Sequence, residues 1–226
     1  MIEIGNSVLS LIIAYLMGSI PFGYLVVKII NGRDVREVES GRTGGTNAMR
    51  AAGFGAGALT AILDVLKGAA TAWVVTWLVP GQPWVQVGAA LLAIIGHNYS
   101  AFLLKRENGK WIFRGGAGGA TCLGGAIALW NPIILIILPL AALVYLFVGY
   151  ASVTTMSIAF IAMIVFFVRA VLGLSPWAYV IYGALALFVL VWALRPNLQR
   201  LKAGTERVVG LRAKWLKKKV FVKDNH

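Results

Sequence analysis

Residues 116–129 read GAGGATCLGGAIAL, and the way this stretch is counted decides how many times the chain crosses a membrane. At 1.5 Å per residue its 14 residues cover only about 21 Å of a hydrocarbon core roughly 30 Å thick. The longer apolar candidates lie around it, at 7–30, 54–79, 85–104, 132–148, 152–168 and 177–194. Basic residues cluster at Arg33, Arg36, Arg42 and Arg50, again at Lys105, Arg106, Lys110 and Arg114, and then from Arg195 onward. The connections at 80–83 and at Asn131 carry none. An excess of Lys and Arg marks cytoplasmic loops, so all three clusters fall on one side, and an even number of crossings must separate Arg114 from Arg195. Omitting 116–129 leaves three, and including it makes four. The sequence therefore predicts an all-α, polytopic membrane protein of seven transmembrane helices, with its N-terminus outside and its C-terminus cytoplasmic.

Composition agrees with that class. Of 226 residues 59% are hydrophobic and 13% charged, with 21 Lys+Arg against 8 Asp+Glu. This is too apolar for a soluble domain or a disordered tail. A single cysteine, Cys122, excludes an internal disulfide, and with two histidines no metal site or cofactor is expected. The N-terminal MIEIGNS has no basic leader and the apolar stretch behind it no small-residue cleavage site, so the first helix is expected to be retained. No internal repeat points to an inverted-repeat transporter.

Two units are expected: a seven-helix membrane domain over 1–194 with its functional face in the cytoplasm, and a basic cytoplasmic tail over 195–226. The tail holds ten of the 21 basic residues, interleaved with Val208, Val209, Leu211, Trp215, Leu216 and Phe221. Such a segment attracts anionic lipid headgroups, with Trp215 and Phe221 dipping into the interface. Nucleic-acid binding would require a soluble basic module, and the chain has none.

The chemistry-bearing residues gather in the loops assigned to the cytoplasm. The first loop, SGRTGGTNAMR (40–50), combines glycines for close backbone approach with Ser40, Thr43, Thr46 and Asn47 as hydrogen-bonding side chains. It adds two guanidiniums, Arg42 and Arg50, just before a helix start; that composition suits a phosphate. The second, RGGAGGAT (114–121), places Gly115, Gly116, Gly118 and Thr121 at another helix start, where consecutive N–H groups form an anion nest. Neither matches the Walker spacing GxxxxGK[ST], so no nucleotide is implied. Within the spans, Asp64 and Lys67 share a helix face, as a structural pair or as a device for positioning substrate. His97 and Asn98 sit near the cytoplasmic end of the third span, where either packing or contact with substrate is open to them. Ser152, Arg195, Asn197 and Glu206 join the same face. Polar segments converge on one side, and the outer half of the spans has little polarity beyond Arg169 and Ser175. This points to an interfacial enzyme acting on an anionic headgroup and an acyl chain, and away from a channel or flippase.

Six motifs in order, GSIPFGYL (18–25), SGRTGGTNAMR (40–50), LDVLKG (63–68), GHNYS (96–100), GGAGGAT (115–121) and RPNLQRLKAGTE (195–206), resemble the bacterial acyl-phosphate:glycerol-3-phosphate acyltransferase family, PlsY. The resemblance covers nearly the whole chain. It implies a seven-helix bundle of the bacterial plasma membrane with a cytoplasmic active site, working in phospholipid biosynthesis. It also implies the reaction: acyl transfer from acyl phosphate to the 1-hydroxyl of sn-glycerol 3-phosphate, giving lysophosphatidate and phosphate. An acyl phosphate is already activated, so no covalent nucleophile is needed; the protein must hold two phosphate-bearing substrates together and align them. The His-x4-Asp acyltransferase pattern is absent, since Phe102 stands five after His97.

Carried over by resemblance, Ser40, Thr46, Asn47 and Arg50 belong to the first binding motif. Gly115, Gly116, Gly118 and Thr121 belong to the second, Ser152 to the following turn, and Arg195, Asn197 and Glu206 to the last. Arg50 and Asn197 are the expected ligands of glycerol phosphate, and Ser40 with the glycine nest those of acyl phosphate. Thr43, Lys67 and Asn98 complete the expected binding set. Arg42, Ser40 and His97 are expected to support the transition state. The chain departs from the family at Ala117, where lysine is usual, at Arg42 (asparagine), at Gly149 (arginine) and at Leu194 (histidine). Arg42 is expected to replace the cation absent at Ala117. A paralogue with a changed donor or acceptor, or a non-catalytic lipid- or phosphate-binding membrane protein, remains the alternative.

Overall fold

Proline and glycine decide where the apolar stretches of this chain break into separate helices. In the computed structural model, which describes residues 2–215, α1 (Ile2–Ser19) and α2 (Phe22–Asn31) are separated at Ile20 and Pro21. Pro21 lacks an N–H and stands at φ −90°, ψ 70°, outside the helical region. The next helix, α3 (Gly45–Leu78), breaks inside at Ala52 and Gly53. Gly53 takes φ 88°, a left-handed value that favours glycine, so residues 45–51 form a short helical segment ahead of the long apolar run 54–78. There follow α4 (Pro83–Asn98), α5 (Gly119–Leu129), α6 (Ile134–Leu143), α7 (Ala151–Val171), α8 (Ala178–Ala193) and α9 (Arg195–Lys202).

Every expected span thus contains a helix, but seven crossings are more than the helix lengths establish. Among the described residues, four segments are long and apolar enough to cross a membrane: 4–31, 45–78, 131–148 and 151–171. A fifth is added if α8 and α9, bent by 66°, are one broken span. The contested stretch 116–129 yields only 11 helical residues, about 16 Å at 1.5 Å each.

The chain is mostly helical, and one hairpin accompanies the helices. The span expected to run to Leu104 ends at Asn98, and the chain continues as β1 (Ser100–Glu107) paired antiparallel with β2 (Lys110–Arg114). The turn is Asn108-Gly109, both at positive φ (51° and 78°), the pair that a tight hairpin turn demands.

Helices approach closely where glycines face backbone. A methyl group at Gly68 of α3 would strike the Thr121 carbonyl of α5, and one at Gly124 of α5 would strike the Val65 carbonyl of α3. Gly18 and Gly96 do the same for α1 against α4. Small-residue contact of this kind replaces hydrophobic driving force between membrane helices. At the centre Ile94, Cys122, Phe166, Tyr182 and Leu190 are buried together, and Tyr182 Oη donates to the Cys122 carbonyl at 2.6 Å. Large apolar side chains such as Ile29, Trp77 and Leu135 are exposed, which is what a lipid-facing surface requires.

The first part of the expected tail is folded onto the bundle. Val209 N–H donates to the Gly149 carbonyl at 2.8 Å, Val208 bridges Tyr150, and Trp215 lies 6.3 Å from the Phe147 ring. The expected interfacial contact of Phe221 lies outside the described residues.

Candidate active site

Chain direction alone brings polar helix ends together. The N-terminal ends of α3, α5 and α7 meet the C-terminal ends of α4 and α8 around a cleft of ≈ 380 Å³. Each N-terminus leaves first-turn N–H groups without helical partners, and its dipole favours an anion. Gly118, at φ 86° immediately before α5, gives that N-terminus its sharp entry. The loop before α3 is stapled in place by Asn47, whose Nδ2 donates to the carbonyls of Val35, Val38 and Arg42 at 2.9 Å each. Ahead of the staple, Asp34 accepts from the Arg36 N–H at 2.9 Å and pairs with its guanidinium. That guanidinium holds the Asp34 carboxyl below its ordinary range.

Guanidiniums enter the cleft from three directions. Arg42 donates through Nη2 to the Ala193 carbonyl at 2.6 Å and to Asn197 Oδ1 at 3.3 Å. Burial, with Arg200 nearby, pulls its pKa below the usual arginine value, yet a guanidinium keeps its charge at neutral pH. Asn197 Nδ2 donates to Glu206 Oε1 at 2.9 Å, and Arg200 Nε to Glu206 Oε2 at 3.3 Å. Arg50 also lines the cleft; among the described residues it makes no hydrogen bond or ion pair. Arg207 lines it too, paired with Glu39 at 2.9 Å.

On the deep side, Asp64 and His97 line the cleft. Asp64 Oδ1 lies 3.0 Å from Lys67 Nζ and 3.4 Å from His97 Nδ1. Lys67 also donates to the Ile20 carbonyl at 2.7 Å, which ties the α1–α2 break to α3. The Gly116 N–H donates to the His97 carbonyl at 2.9 Å, and a Cβ at Gly116 would collide with the His97 ring. Ser152 presents a buried hydroxyl without a hydrogen-bond partner among the described residues. Apolar lining is supplied by Met49, Phe54, Tyr145, Ile158 and Leu194.

Ser40, Arg42, Thr46, Asn47 and Arg50 line the cleft as the first loop was expected to, and so do His97, Gly118, Ser152, Asn197 and Glu206. Other expected residues do not line it. Thr43 is buried, its N–H on the Gly115 carbonyl at 3.2 Å, and so joins the two glycine loops to each other. Gly115 and Gly116 pack against the backbone and ring of His97 and Asn98, behind the surface of the cleft. Lys67 is committed to Asp64 and Ile20. Asn98 and Thr121 are buried, with side-chain polar atoms lacking partners among the described residues. Arg195 stands apart: its guanidinium lies 3.3 Å from the Trp192 ring centroid and its Nε donates to the Trp192 carbonyl at 3.0 Å, outside the cleft. Arg207 was not expected in the cleft, whereas Asp64 was read with Lys67 as either a structural pair or a device for positioning substrate. The pairing of Asp64 with Lys67 was visible as a spacing, whereas nothing local in the sequence marks Arg207.

A bundle of apolar helices with a cationic, glycine-rich cleft at one end defines an integral membrane protein that handles an anionic ligand beside an apolar lining. Residues 8–204 match the family model described as glycerol-3-phosphate acyltransferase. The chain is 39% identical over 207 residues to a glycerol-3-phosphate acyltransferase of Thermus thermophilus, covering 92% of this chain and 97% of that one. To the enzyme of the same description from Rubrobacter xylanophilus it is 39% identical over 206 residues, covering 91% and 96%. Its fold is similar to the crystal structure of PlsY (YgiH), an integral membrane glycerol 3-phosphate acyltransferase, in its glycerol 3-phosphate form. The TM-score is 0.78 at 30% identity, with 90% of this chain and 96% of that one covered. The lysophosphatidic acid form gives the same TM-score of 0.78 at 29% identity, covering 92% and 97%. The chain belongs to the glycerol-3-phosphate acyltransferase family.

Proposed function

We propose that the chain transfers a fatty acyl group from acyl phosphate to the 1-hydroxyl of sn-glycerol 3-phosphate, releasing lysophosphatidate and inorganic phosphate. The observation that carries this reading is the cleft itself, where three guanidiniums and three helix N-termini stand beside an apolar lining. Two phosphate-bearing substrates repel each other in solution; here cations and oriented N–H groups hold both. The acyl chain lies along Met49, Phe54, Tyr145 and Ile158. Ser40 and the N-terminus of α5 at Gly118 take the acyl phosphate, with Gly115, Gly116 and Thr121 shaping that turn from behind. Arg50 and Asn197 take the glycerol phosphate. Thr46, Ser152 and Glu206 complete the polar lining, while Asn47, Thr43, Asn98 and Lys67 position it from behind.

The hydroxyl oxygen attacks the acyl carbonyl carbon, the bond from that carbon to the bridging phosphate oxygen breaks, and the hydroxyl proton passes to the departing phosphate. No covalent enzyme intermediate is formed. Arg42 stabilises the charge that develops, standing in for the cation that the resemblance leads one to expect at the position of Ala117, itself in the cleft lining. His97 supports the same charge from the deep side. The seven apolar helices cross the bacterial plasma membrane with the cleft on the cytoplasmic side, and the basic segment from Arg195 onward contacts anionic lipid.

Labelled glycerol 3-phosphate offered with palmitoyl phosphate or palmitoyl-CoA tests the donor. Lysophosphatidate from palmitoyl phosphate alone is expected; product from palmitoyl-CoA alone would overturn this reading. The presence of Ala117 in the lining favours one second reading, a paralogue with a changed donor or acceptor, in which neither donor supports turnover.

A further inference from the structure

Glu39 and Arg207 are 168 residues apart in sequence and meet across the mouth of the cleft. Arg207 Nη1 donates to Glu39 Oε1 at 2.9 Å. Glu39 stands next to Ser40, and Arg207 follows Glu206, so the pair ties the loop before α3 to the segment after α9 at the two places where each enters the cleft. Both side chains are about half exposed, 59% for Arg207 and 49% for Glu39, so the link is open to solvent and weak. Glu39 is also held at φ 46°, a conformation that disfavours a side chain. The pair therefore couples a strained, solvent-open carboxylate to a cation that already lines the cleft.

The other two guanidiniums differ in what they have left to offer. Arg42 is engaged with Ala193 and Asn197, and Arg50 has no partner among the described residues. Among the described residues Arg207 is engaged only with Glu39, an anion that a phosphate dianion displaces readily, since it offers more charge and more acceptor oxygens. We propose that Arg207 is a phosphate-binding residue of the glycerol 3-phosphate site, and that the Glu39 carboxylate occupies the anion's place on its guanidinium until substrate arrives.

This rests on the acyltransferase reading above, and the test separates the two. In lipid-embedded protein, R207A is expected to raise KM for glycerol 3-phosphate about tenfold or more, with kcat and the KM for palmitoyl phosphate within about twofold. R207K is expected to recover part of that loss. E39Q removes the competing carboxylate and is expected to lower the same KM, and E39Q added to R207A is expected to change nothing further. An unchanged KM for glycerol 3-phosphate in R207A, or a loss confined to palmitoyl phosphate, overturns the proposal. If wild-type protein turns over neither substrate, the acyltransferase reading fails. Equilibrium binding of glycerol 3-phosphate then decides the assignment of Arg207 by itself, with weaker binding by R207A supporting it and equal binding overturning it.

Discussion

The Arg42 guanidinium donates to Asn197 Oδ1 at 3.3 Å, while Asn197 Nδ2 donates to Glu206 Oε1 at 2.9 Å. One residue of the loop before α3 thereby fixes the orientation of an amide 155 positions later. The arrangement leaves Asn197 a single free N–H, so its contribution to a phosphate is one directed donor. Arg42 also closes the end of α8 through the Ala193 carbonyl, where the helix dipole favours a cation.

Arg42→Ala is expected to reduce kcat/KM about 100-fold or more, the scale of losing a preorganised donor to developing charge. Arg42→Lys keeps the charge but loses the two-point grip on Ala193 and Asn197, and should fall between the two. Initial rates of lysophosphatidate formation measure both. Full activity in the alanine variant would remove Arg42 from the mechanism.

Asn197→Asp sets a second carboxylate beside Glu206 and in the path of an incoming phosphate. A rise of about tenfold or more in KM for glycerol 3-phosphate is expected, with part of it recovered when Glu206→Gln is added. A loss that the second substitution leaves untouched would show that the Asn197–Glu206 contact does not orient the site.

Gly68→Val should weaken the packing of α3 on α5, because its side chain meets the Thr121 backbone. Overpacking of this kind costs about 1–3 kcal/mol. A lower midpoint of thermal unfolding in detergent is the expected readout. Gly55, which faces open space, serves as the control: Gly55→Val should leave the midpoint close to that of the parent protein.

The Asp34–Arg36 pair predicts how the first loop responds to acid. A carboxyl whose folded pKa is depressed contributes stability above its unfolded value, 3.8, and loses that contribution as pH falls through the lower, folded value. Activity is therefore insensitive to this pair at neutral pH. The loop's own contribution, on the order of 0.5 kcal/mol for a partly exposed pair, is lost only in strong acid. Asp34→Asn should remove the acid-linked part of the unfolding transition and leave the rest.

Much of this site is visible in the sequence because its residues are local to motifs. Ser40 to Arg50 is one loop, and Gly115 to Thr121 one helix entry, so composition and spacing locate them without a fold. Arg207 and Glu39 are legible only once α9 has brought the segment after it back onto the bundle. Arg195 illustrates the converse: it follows an apolar helix and belongs to a recognisable motif, yet the Trp192 face one turn earlier captures its guanidinium. The hairpin escaped for a different reason. Lys105, Arg106, Lys110 and Arg114 carry a strong topological signal, and that signal masks the Asn108-Gly109 turn between two alternating strands. Helix α5 starts at Gly119 and not at 116, because the Gly116 N–H is taken by the His97 carbonyl and Gly118 turns into the left-handed region.

The most direct measurement is phosphate release from palmitoyl phosphate by the purified, lipid-embedded protein, with and without glycerol 3-phosphate. Release that depends on glycerol 3-phosphate, with lysophosphatidate formed in equal amount, is the predicted result, and it would mean that Ala117 is compensated. Donor left intact in the presence of glycerol 3-phosphate would contradict the account.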